Sequence, residues 1–199
     1  MQINGKRLAD RIFWSKKSRI QAEKKLRFND LSSQIILLWY SAFAVCISIL
    51  ELTITSKQPY FPAIMVILSV LILCASLFVG NRNFRERAMV LKQSYEKLGN
   101  LESLCYETDH LTSEDDKLNK LADINNQYVI ALSMSENHDD KDFKNALVEE
   151  YMNTHTSDIT KLTRKPTKFN VVEVILHSLL KFAFIAFFIA LPLFTLLLR

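Results

Sequence analysis

Apolar positions along the 199-residue chain follow two different patterns. Three runs are apolar on every face, while the stretches between them place apolar residues only at helical spacing among many charges. The first run, Ser32 to Thr55, carries one charge, Glu51, near its far end. As a helix it reaches about 36 Å at about 1.5 Å per residue, enough to cross a bilayer core of about 30 Å. The second, Tyr60 to Val79, has no charge and reaches about 30 Å by the same rise. Only Ser56-Lys57-Gln58-Pro59 separates them, which predicts a tight antiparallel hairpin. Pro59 and Pro62 fall where the second helix begins, a position at which a missing N–H costs little. The third run, Leu176 to Leu198, is purely apolar only from Phe182 onward, and its five phenylalanines lie on all faces.

The polar stretches read as amphipathic helices. In the N-terminal arm Leu8, Ile12, Phe13, Ile20 and Leu26 stand among basic residues, beside Trp14, a pattern that suits a helix lying on an anionic leaflet. After the second run, Phe84, Ala88, Leu91, Tyr95 and Leu98 recur at a 4-3-4-3 spacing. The membrane helix is therefore expected to continue as one rod as far as Gly99, with Phe84, Leu91, Tyr95 and Leu98 as a seam for a second copy. Leu118, Leu121, Ile124, Tyr128 and Leu132 define another helix, and Phe143, Ala146, Leu147 and Tyr151 a third. Each has one apolar stripe to bury, which implies a helical bundle or an oligomeric assembly.

Composition agrees with helices throughout: three glycines and four prolines leave few positions for tight turns or phosphate-cradling loops. The net charge of +4 hides a segregation. Residues 1–31 hold nine Lys/Arg and three acids, whereas residues 99–160 hold fourteen acids and four lysines. Basic residues cluster before the first run, after the second (Arg82, Arg85, Arg87) and before the third (Lys161, Arg164, Lys165, Lys168). Because positive loops stay inside, the N-terminus and residues 81–170 are placed in the cytosol and the C-terminus outside. A cleaved signal peptide is not expected behind so long and charged an arm. The expected class is an all-α membrane protein in four segments. These are a basic arm (1–31), a two-span hairpin (32–79), a cytosolic helical domain (80–170) and a third span with its approach (171–199).

Reactive chemistry is sparse. Cys46, Cys74 and Cys105 form no CxxC pair and read as packing residues. The four histidines are scattered, with no nucleophile–base or metal-ligand spacing, so no enzyme activity and no cofactor are expected. His138, Asp139, Asp140 and Asp142 raise a cation site, but Ser135 or Asn137 as a helix cap followed by first-turn acids explains them more simply. Direct nucleic-acid binding is not expected of the arm, since its place beside a span accounts for its charge. Glu173, His177 and Lys181 recur every four residues and line one face at the start of the third span. They are read either as a charged stripe facing a pore or interface, with Pro192 permitting a bend beyond, or as interfacial anchors with Lys181 snorkelling.

The order of parts, with RNFRERAMVLKQSYEKLGNLE after the second run and NNQYVIALSMSENHDDKDF further on, resembles the SLATT family of bacterial conflict-system membrane effectors. Tyr95-x-x-Leu98, Tyr128 and Glu136-Asn137-His138 to Asp142-Phe143 carry the resemblance, over about residues 5–155. It implies an antiviral effector, associated with nucleotide-signalling or reverse-transcriptase systems, that damages the inner membrane when triggered. The third run departs from the family's two-span pattern. Three spans enclose no water-filled route within one chain, so conduction requires a homo-oligomer. The alternative function is a non-conducting anchor or scaffold that holds a partner at the bilayer.

Overall fold

A computed structural model describes residues 4–53 and 59–197, without the side chains of 195–197. The hairpin tip with Lys57, and Arg199 at the C-terminus, lie outside the described residues. Among the described residues all regular structure is helical: α1 (Gly5–Thr53), α2 (Phe61–Gly80), α3 (Phe84–Glu107), α4 (Glu114–Ser133), α5 (Asp140–Asn153) and α6 (Lys168–Ala190), with short 3-10 turns between or after them. The chain divides into two units, residues 1–27 with 85–175, and residues 28–84 with 176–199.

The helix boundaries follow from local chemistry. After Gly5, α1 meets neither glycine nor proline for 48 residues, so nothing interrupts its hydrogen-bond ladder. Pro62 sits in the first turn of α2. The continuous rod expected to Gly99 is broken at residues 81–83, where Asn83 takes a φ of 48°. Asparagine tolerates this left-handed region better than most side chains, and here it ends one helix before the next begins. Gly99 does not end α3, which runs eight residues further to Glu107. Ser113 caps α4 by accepting the N–H of Asp116 at 3.3 Å, with Glu114, Asp115 and Asp116 in the first turn. The cap of α5 is Asp139 rather than Ser135 or Asn137, and Asp142 accepts the Asp139 N–H at 2.9 Å.

The core of the first unit joins three stripes: Leu8, Ala9 and Ile12 of α1; Leu98, Leu101 and Cys105 of α3; and Leu121, Ile124, Tyr128 and Ala131 of α4. The N-terminal arm is thus an inner helix of a bundle and not a helix laid on a leaflet. The face expected to meet lipid, with Leu8, Ile12 and Leu26, is covered by protein. Burial pushes the Cys105 thiol up to about 11, which makes it an inert packing group.

In the second unit Phe43, Ala44 and Ile47 of α1 pack on Phe61 and Met65 of α2, as an antiparallel hairpin requires. Phe28 meets Phe182 of α6 edge-on at 5.9 Å. Near its end α6 tightens into a 3-10 turn at Leu191–Leu197, where Pro192 lacks the N–H that an α-helix would give to the Phe188 carbonyl. Tyr40 Oη donates to that carbonyl at 3.0 Å, and Trp39 Nε1 donates to the Ile189 carbonyl at 2.9 Å. Polar side chains of α1 thereby satisfy backbone groups that neither the helix nor a lipid tail could.

Leu98 is fully buried in the first core, whereas Met89 on the same helix is 53% exposed. Leu98→Ala is expected to destabilise the first unit by about 2–5 kcal/mol, and Met89→Ala by less than about 0.5 kcal/mol. Thermal unfolding of the detergent-solubilised chain, followed by helical circular dichroism, checks this difference.

Candidate functional site

The basic arm and the acidic segments fold against each other in the first unit. Lys16 Nζ lies 2.5 Å from Glu102 of α3, and Lys17 Nζ 2.6 Å from Glu150 of α5. Lys24 reaches Glu149 at 2.8 Å, with Gln21 donating to the same carboxylate at 2.9 Å. Lys25 bridges Asp139 at 2.9 Å and Asp142 at 2.8 Å. Successive turns of α1 are thus pinned to α5 by a ladder of charge-assisted bonds. The segregation of charge along the chain becomes complementarity between two faces.

Burial differs along this ladder. Asp142 is 1% exposed and its second oxygen, Oδ1, has no hydrogen-bond partner, so its charge depends on Lys25 and the Asp139 N–H. Burial opposes the charge of Lys25, but its bonds to Asp142 and Asp139 outweigh that and hold its pKa above the ordinary 10.5. The hydrogen bond from Lys25 holds Asp139 below its ordinary 3.8. For Glu149 burial again acts in the opposite sense, and the bonds from Lys24 and Gln21 keep it below 4.5. Arg19 is 1% exposed and, among the described residues, bonds no carboxylate: its guanidinium donates to the Leu132 carbonyl at 3.1 Å and to Ser135 Oγ at 3.2 Å. Burial lowers its pKa, and these two acceptors at the end of α4 are what it has in place of water. Arg19 had no signal in the sequence beyond its charge, because only packing shows which base of the arm turns inward.

The residues expected to form a seam and a stripe fall into different settings. Leu91 and Leu98 are wholly covered within one chain. Phe84 and Tyr95 are half-buried. Tyr95 lies near Glu23 and Arg27, and burial, then Glu23, raises its pKa. In the stripe, Glu173 accepts from Lys144 of α5 at 2.9 Å in the first unit. Lys181 in the second unit sets its ammonium 3.4 Å from the centroid of the Phe28 ring, a cation–π contact. His177 is exposed. Asp139, Asp140 and Asp142 are drawn into capping and ion pairs, the His138 ring lies 3.4 Å from the Asp139 carbonyl, and among the described residues no metal-ligating group of three comes together.

Among the described residues three helices are long and apolar enough to cross a membrane: part of α1, α2, and α6 with its 3-10 extension. No residue of α6 is buried, and Leu179, Phe182, Phe184 and Phe187 are each more than half exposed. So much contiguous apolar surface needs lipid or protein to cover it. These features define a helical membrane protein with a charged helical unit. Residues 1–196 match the SMODS and SLOG-associating 2TM effector domain, family 5, and the chain belongs to that family. The match takes in the third apolar helix, so that helix lies within the family's extent and not beyond it. The description names an effector domain associated with SMODS and SLOG proteins. No curated protein and no solved structure matches the chain.

Lys25→Met leaves the buried Asp142 carboxylate without its cation and is expected to cost about 1–3 kcal/mol, whereas Lys24→Met at a half-exposed pair should cost under about 1 kcal/mol. The carboxylates of Asp139 and Glu149 have lowered values, so their stabilisation is present above pH 3.8 and 4.5 and is lost as pH falls through the lowered values. The raised value of Lys25 gives stabilisation that is complete below pH 10.5 and lost as pH rises through it. Melting temperatures of the wild type and both variants, taken across these two windows, should show the acid loss reduced in both variants and the alkaline loss reduced in Lys25→Met alone.

Proposed function

We propose that this chain is the membrane effector of a bacterial antiviral defence system, assembling on a signal from its partner to permeabilise the inner membrane. Membership of an effector family associated with SMODS and SLOG proteins carries the reading. The three candidate spans and the uncovered apolar surface of α6 support it. A signalling protein is the expected partner, with a reverse transcriptase as another source of the trigger. One chain presents three spans, too few to surround a water-filled path, so conduction is assigned to a homo-oligomer. With Leu91 and Leu98 committed to the chain's own core, contact between copies falls to other faces, the exposed flank of α6 foremost.

In this reading residues 1–31 and 80–170 are cytosolic and the C-terminus is outside, on the strength of the lysine and arginine distribution. A reporter enzyme active only in the periplasm should work when fused after Arg199 and stay silent when inserted at Lys141. Activity at Lys141 would reverse the orientation.

Permeabilisation is tested by membrane potential in expressing cells after the associated signal is supplied. A collapse of potential is expected, and quiet residence in the membrane with a co-purified partner would make the chain a scaffold instead. Lys181 is proposed to set the charge near the cytosolic end of the third span, so Lys181→Leu should change the rate or ion preference of leakage at unchanged membrane abundance. Identical leakage would leave Lys181 an interfacial anchor resting on Phe28.

A further inference from the structure

A cleft of about 460 Å³ opens in the first unit, bounded by α1, α4, the start of α5 and the segment that precedes α6. Two arginines line it, Arg11 and Arg164, each laid on an aromatic bed. The Arg11 guanidinium lies 5.2 Å from the centre of the Tyr128 ring. That of Arg164 lies 5.8 Å from Trp14 and 5.6 Å from Phe143. The rings themselves are held in place. Trp14 Nε1 donates to Asp10 at 3.1 Å and to Thr163 at 3.0 Å, Phe143 meets Trp14 edge-on at 6.0 Å, and the Tyr128 and Ser15 hydroxyls lie 2.8 Å apart.

A cation–π contact holds each guanidinium beside its ring, and its N–H groups can grip an oxyanion in bidentate fashion. Lys16, Lys17, Lys24, Lys25 and Arg27 of the same helix spend their charge on carboxylates, whereas among the described residues Arg11 has no ion pair. The opposing acids are engaged elsewhere or weakly placed. Asp140 lines the cleft but pairs with Lys144 at 3.2 Å, and Asp10 stands 3.6 Å from Arg164. The cleft therefore favours an anion. Its volume falls in the range of small-molecule sites, about 300–1,000 Å³, and far exceeds what inorganic phosphate fills. A guanidinium can also carry a planar ring.

The geometry points to a binding site for an organic phosphate of nucleotide size, its phosphate oxygens held by Arg11 and Arg164 and its ring stacked on a guanidinium face. Nothing in the apolar spans enters this argument, and the readout is binding alone, so its outcome is independent of whether the membrane leaks. The full chain in phospholipid-free detergent micelles is titrated with N-methylanthraniloyl-ATP and read by fluorescence anisotropy. Saturable binding is expected, displaced by unlabelled ATP and only at much higher concentration by inorganic phosphate. Arg11→Gln and Arg164→Gln should each weaken it by about tenfold or more at an unchanged melting temperature, and Lys120→Gln, on the exposed surface of α4, should not. Arg11→Lys, which keeps the charge without the planar fork, should show an intermediate loss. No saturable binding at about 1 mM probe, or equal loss in Lys120→Gln, overturns the site. Displacement by short-chain phosphatidylglycerol but not by ATP overturns the nucleotide-sized ligand in favour of a lipid headgroup.

Discussion

The first unit depends on the burial of one stripe of α1. Leu8 and Ile12 sit against Leu98 and Leu101 of α3 and Leu121 and Ile124 of α4, all almost entirely shielded from solvent. Each such side chain withdrawn from water contributes about 1.5–3 kcal/mol. The stripe also sets which residues of α1 point outward. Lys16, Lys17, Lys24 and Lys25 are turned toward α3 and α5 because Leu8, Ile12 and Leu26 are turned inward.

Electrostatics then refines what packing has arranged. Most of the ladder between α1 and α5 lies near water, where an ion pair adds little to stability. The exception is Asp142, buried and half-satisfied, which makes Lys25 the rung whose loss is most costly. Arg11 and Arg164 follow a different logic, with guanidinium groups beside aromatic rings, and Arg11 has no ion pair among the described residues.

In the apolar unit the dominant constraint is the satisfaction of backbone polar groups. Pro192 removes one donor from the end of α6, and the hydroxyl of Tyr40 and the indole of Trp39 supply two others at the carbonyls of Phe188 and Ile189. The third apolar helix is therefore tied to α1 by directional bonds as well as by aromatic contact, and the family match over residues 1–196 includes it.

The sequence by itself determined the helical class, the three apolar runs, the charge segregation and the family. Each of these rests on composition, period or local motif, which act within a few turns of chain. It also showed the stripes on α3 and α4, but not what would cover them. A 4-3-4-3 spacing looks the same whether the partner is a second copy or another helix of the same chain, and Leu91 and Leu98 turned out to be covered within the chain. The basic arm posed the same ambiguity, since a lipid leaflet and an acidic protein face attract lysines equally. Glu173, His177 and Lys181 share a helix face by period, yet their partners, Lys144 for the first and Phe28 for the last, come from distant segments. Only the tertiary structure decided these points, because burial and ion pairing are properties of two surfaces in contact, and a sequence displays each surface alone.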